Sequence, residues 1–72
     1  MVNVNKLKGK IVENGLNVEA VSARTGIDKS TFYRKLSAGG GSFTVKEVEQ
    51  ISDVLNLSPE QINSIFFAHE VA

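Results

Sequence analysis

The residues of this chain best equipped for chemistry fall in one short run. Lys29, Ser30, Tyr33 and Arg34 lie within six positions of one another, and on a helix they share a face. Together they offer two cations, a hydroxyl that donates and accepts, and a ring with an apolar edge. Arginine or lysine can donate to the two major-groove acceptors of guanine, and serine can serve several bases. Tyr33 adds an apolar edge for a thymine methyl and a hydroxyl for a phosphate. Asn17, Thr31 and Lys35 flank this face and are expected to hold phosphates, contacts that position a protein and make affinity depend on salt. Lys35 has a competing role, with its stem covering the core edge while its charge stays wet. Asp28 is expected to cap the helix rather than read bases.

Other chemistries lack their residues. The chain has no cysteine, hence no disulfide and no thiolate metal site. His69, with Ser64 and Glu70 close in sequence, is expected to be a solvated histidine at a helix end rather than a catalytic group. The carboxylates are scattered over helix surfaces, with no pair set in an apolar pocket. Gly39, Gly40 and Gly41 make a loop whose bare amides could approach phosphates, but no strand precedes it and no Gly-Lys-Ser/Thr follows, so it is not a nucleotide loop. No enzyme, cofactor, metal or small-molecule ligand is expected.

The elements that must position this face are short helices. Asn17 can cap one, because its side-chain oxygen can accept an open amide of the first turn. Val18, Ala20, Val21 and Ala23 keep that helix slim, and Gly26 ends it where a left-handed corner costs least without a β-carbon. Ile27 plugs the corner. Asp28 then caps a second helix that sends Phe32 and Leu36 inward. Two helices about a glycine-containing turn, here at about residues 17–36, form the helix-turn-helix pattern, whose second helix meets base edges with its N-terminal end.

The remaining segments follow the same signals. Asn3 or Asn5 starts helix 1, which runs to about Asn14 with Gly15 as its stop; Val4, Leu7 and Ile11 form its buried stripe, with Val12 beside it. Lys6, Lys8 and Lys10 lie off that stripe, on a solvated face, with a secondary role in attracting phosphate as the alternative. Thr44 to Glu47 reads as a capping box with Phe43 and Val48 as its staple. Val48, Ile51, Val54 and Leu55 form the buried face of helix 4. Ser58, Pro59 and Gln61 repeat the start signal for a fifth helix, which turns Ile62, Ile65 and Phe66 to one side. Five helices and no strand make an all-α single domain over residues 1–72, and the finished fifth helix favours a complete chain.

Charge is unevenly placed. All eight Lys and Arg lie in residues 1–46 against three carboxylates, a net +5; residues 47–72 carry five carboxylates and no Lys or Arg, a net −5. The basic part coincides with the corner motif. No segment approaches the ~20 apolar residues needed to span a membrane, and no signal peptide is present, so a cytoplasmic location is expected.

The order Leu16-Asn17, Val21, Gly26-Ile27 and Lys29-Ser30-Thr31-Phe32-Tyr33-Arg34-Lys35-Leu36 resembles the λ-repressor/Cro-like helix-turn-helix (XRE-type) family. With the Ile65-Phe66-Phe67-Ala68 ending, it is most similar to the small Cro-type repressors of temperate phages of Gram-positive bacteria. The likeness covers nearly the whole chain. It departs at Ser22, where the family often has alanine, and at Val18, where glutamine often makes a phosphate or base contact. The resemblance implies a five-helix DNA-binding domain in which the positions of Lys29, Ser30, Tyr33 and Arg34 reach base edges of an operator. Single modules of this size bury only about 600–1,000 Å² on DNA, so a homodimer on a palindromic duplex is expected, with Phe66, Phe67 and Val71 at its contact, unless Phe67 instead folds back over helix 1 to enlarge the core. The alternatives are a protein-binding module on the same fold, such as an antirepressor or assembly factor, and an excisionase-like architectural DNA binder.

Overall fold

A computed structural model describes residues 2–39 and 42–67. Its helices are α1 (Val4–Glu13), α2 (Val18–Thr25), α3 (Lys29–Ser37), α4 (Val45–Leu55) and α5 (Pro59–Phe66). Each starts on a side-chain cap. Asn3, Asn17 and Asp28 accept from the amides of Lys6, Ala20 and Thr31. At α4 the box is reciprocal: the Thr44 amide donates to Glu47 Oε1 at 2.8 Å, and the Glu47 amide to Thr44 Oγ1 at 3.1 Å. Ser58 and Gln61 repeat it at α5, over 2.9 and 3.1 Å. These bonds satisfy amides that the first turn of a helix leaves open.

The ends are as well defined. Gly15 and Leu16 turn their amides back to Val12 and Ile11, a left-handed stop that frees the chain to reverse into α2. Asn56, with φ 53°, closes α4 in the same way. Its neighbour Leu57 donates back to the Ser52 carbonyl at 3.0 Å. The Asn14 side chain donates to the Lys10 carbonyl at 2.8 Å and reaches the Leu55 carbonyl at 3.4 Å, tying the end of α1 to the end of α4.

The core draws on every helix: Leu7 and Ile11 from α1, Val21 from α2, Phe32 and Leu36 from α3, Val48, Ile51 and Leu55 from α4, Ile65 and Phe66 from α5. Ile27 enters it from the corner between α2 and α3. α2 packs on α3 and α4, and α1 on α5, so the corner motif has a supported back.

Two expectations need correction. Val12, placed beside the buried stripe of α1, is 73% exposed; it follows Ile11 by about 100° and so turns off the packed face. Phe66, expected at a dimer contact, is buried inside the subunit, 6.3 Å edge-on from Phe43, and presents no surface to a second copy. Phe67 is 48% exposed. Val71 lies outside the described residues.

Candidate nucleic-acid interface

The corner is built from local bonds. Gly26 takes φ 79° and donates to the Ser22 carbonyl at 2.9 Å. Thr25, buried at the end of α2, donates its hydroxyl to the Val21 carbonyl at 2.8 Å and accepts the Ile27 amide at 3.3 Å. Its side chain therefore braces the turn from inside, while Ile27 is buried as the plug. Residues 26–28 are all that separate the two helices.

From there α3 is oriented by two anchors. Phe32 is fully buried and Leu36 nearly so. At about 100° per residue, Arg34 falls roughly opposite that pair, with Ser30 beside it, Tyr33 on one flank and Thr31 and Lys35 on the other. Lys29, Ser30, Tyr33 and Arg34 are all exposed and Thr31 half-buried. Ser30, Tyr33 and Arg34, three of the four residues proposed from sequence to read bases, thus fall on one open face, while Lys29, exposed in the first turn, lies at its edge on the side of Tyr33. Among the described residues, Arg34 takes part in no ion pair, and Lys29 makes only a loose, exposed one with Glu19 at 3.7 Å. Such a pair in water is worth little and leaves the lysine able to swing outward.

The flanking residues divide. Asn17 is exposed at the start of α2, although its side-chain oxygen already caps Ala20 at 2.8 Å. Its amide nitrogen is the group left for a phosphate. The Thr31 amide is held by Asp28 at 3.3 Å, so Asp28 does serve as a cap. Lys35 departs from the phosphate expectation: its ammonium sits 2.6 Å from Glu47 Oε1, with both side chains mostly buried, at 13% and 17% exposure. The competing role, a stem along the core edge, fits its half-buried position, but the charge is paired with a carboxylate rather than wet. Burial alone would raise the Glu47 carboxyl, yet the bonds from Lys35 and from the Thr44 backbone and hydroxyl, with the lysine's charge, outweigh it and hold the group below its ordinary range.

Sequence reasoning gave no role to two residues that shape this face, and placed a third only in general terms. Thr25 carries no signal beyond its place before glycine. Glu19 meets Lys29 across the corner, a pairing that no single-helix spacing reveals. Lys8, read as part of a solvated face, lines an open groove of about 280 Å³ with Val12, Asn17, Val18 and Tyr33, on the same side as the recognition face. Among the described residues no cluster of His, Asp or Glu could hold a metal.

Two helices at a braced three-residue corner, with the second turning cations and hydrogen-bonding groups outward, define a helix-turn-helix DNA-binding domain. The chain belongs to the Cro/C1-type HTH DNA-binding domain family, whose model matches residues 6–67. No curated protein and no solved structure gives a match. Family membership accounts for the all-α architecture and for double-stranded DNA as the partner. No helix among the described residues is long and apolar enough to cross a membrane.

Proposed function

We propose that the chain is a sequence-specific transcriptional repressor of the phage Cro kind. In this reading α3 enters the major groove, Lys29, Ser30, Tyr33 and Arg34 contact base edges, and Asn17 and Thr31 hold phosphates. Repression is steric, by occupation of an operator that overlaps a promoter. The observation that carries the reading is the open face of α3: its four candidate readers are exposed together, on a helix seated by Phe32 and Leu36. A domain of this size covers too little DNA to select one site alone, so two copies on a palindrome with half-sites about one helical turn apart complete it. Phe67, half-exposed at the end of α5, is the residue we assign to the contact between copies.

Selection from random duplex DNA, with footprinting at two salt concentrations, tests the reading. A palindromic consensus is expected, with affinity falling as salt rises. Lys29→Glu and Arg34→Glu should each weaken binding to that consensus by at least about tenfold, the loss of one good base contact. A protein-docking module would enrich no sequence and tolerate both changes. An architectural binder would bend the duplex without a strong consensus.

A further inference from the structure

Lys35 is joined to more than one neighbour. The carboxylate oxygen that receives its ammonium at 2.6 Å also accepts the Thr44 amide at 2.8 Å. The ammonium lies 5.8 Å from the centre of the Phe43 ring, within range of a cation–π attraction. That ring in turn meets Phe32 edge-on at 5.5 Å. Ion pair, ring and edge contact together fasten the C-terminal half of α3 to the first turn of α4, across the connection at residues 38–44. Its N-terminal half is held separately by the corner. A helix of only nine residues seated on Phe32 and Leu36 can still roll about the line joining them and carry its reading side chains with it, so a third tie at Lys35 fixes the angle at which they meet a groove.

We propose that Lys35 and Glu47 are a positioning pair that sets the angle of α3 and withholds the Lys35 charge from phosphates. The inference rests on the DNA-reading role of α3. Moving Lys35 to a phosphate would strip a mostly buried carboxylate of its partner, which is costly, and would leave that negative charge beside the duplex.

Two variants separate the pair from its surroundings. Glu47→Gln removes the charge but keeps an oxygen for the Thr44 amide, as Gln61 already does for Ser58, so the cap survives. Lys35→Met keeps the apolar stem. Affinity is measured for the selected operator and for a random duplex over a range of salt, with thermal melting and amide NMR spectra to establish folding. Both variants should lose about tenfold on the operator, the effect of one misfitted base pair. Lys35→Met should keep the wild-type salt slope, while Glu47→Gln steepens it by about 0.9 per chain as the freed ammonium gains a phosphate.

A salt slope reduced by about 0.9 in Lys35→Met, with equal weakening on both duplexes, would make Lys35 a phosphate ligand and overturn the proposal. So would wild-type operator affinity and slope in Glu47→Gln, which decides the matter alone if Lys35→Met fails to fold. A wild-type chain that binds neither duplex defeats the DNA-reading role, and the pair's role falls with it. Insensitive variants of a chain that does bind defeat the pair alone.

Discussion

Ser22 shows how a single polar atom weighs on a small domain. It is buried in α2, and among the described residues its hydroxyl is the one buried side-chain oxygen or nitrogen without a hydrogen-bond partner. Removing water from such a group without compensation costs about 1–3 kcal/mol. Alanine also has the better helix propensity. Ser22→Ala should therefore stabilise the fold by about 1 kcal/mol, raising the melting midpoint of a domain this size by roughly 4–8 °C. A drop in the midpoint would mean that the hydroxyl has a partner in solution. Glu47 makes the complementary case, a charge with every partner in place. Its folded-state pKa is lowered, so its contribution is fully present above the ordinary glutamate value of about 4.3. It is lost as pH falls through the lowered folded value. In acid titrations followed by circular dichroism, Glu47→Gln should lose this part of the acid-induced destabilisation and converge with wild type at the lowest pH.

At the scale of elements, the corner and the caps divide what sequence could and could not reveal. Gly26 sits at φ 79° with open space around the position a β-carbon would take. Gly26→Ala should thus cost about 1–2 kcal/mol from backbone strain alone, with no added penalty for a clash. Gly26→Asn should cost less, since asparagine tolerates that conformation, as Asn56 does at the end of α4. Denaturant unfolding of the two variants checks the order, and a larger loss for Gly26→Asn than for Gly26→Ala would contradict it. Features of this kind were legible because their signals lie within a few residues. Asn17, Asp28, Thr44 and Ser58 all cap the helices read from them, and of the stripe read for α1, Leu7 and Ile11 are buried and Val4 partly so. Val12 was misplaced by a local angle, one step round the helix from Ile11, but the other misplacements involve neighbours distant in sequence. Nothing near Lys35 announces Glu47 twelve positions away, and Phe66 is claimed by the core through Phe43, which precedes a different helix. The open face of α3 could be read because the burial of Phe32 and Leu36 fixes what lies opposite.

For the molecule as a whole, charge and size set opposing demands on assembly. DNA binding relies on the cationic part of the chain, and the last 26 residues carry a net −5. A homodimer joined through the end of α5 brings two such acidic portions together, with Glu60 exposed on each α5. Their repulsion acts over the screening length, about 10 Å at 0.1 M salt and shorter above it. Salt should then strengthen association of free chains while it weakens their grip on the duplex through counterion release. Sedimentation without DNA should show the dimer favoured as salt rises from about 0.05 to about 0.5 M, a range that shortens the screening length roughly threefold. Titrations on the palindrome should show the reverse trend. Phe67→Glu adds a charge where we propose an apolar contact between copies, so it should abolish two-to-one binding on the palindrome while leaving weak binding to an isolated half-site. A Phe67→Glu chain that still loads two copies cooperatively would place the contact elsewhere on the molecule.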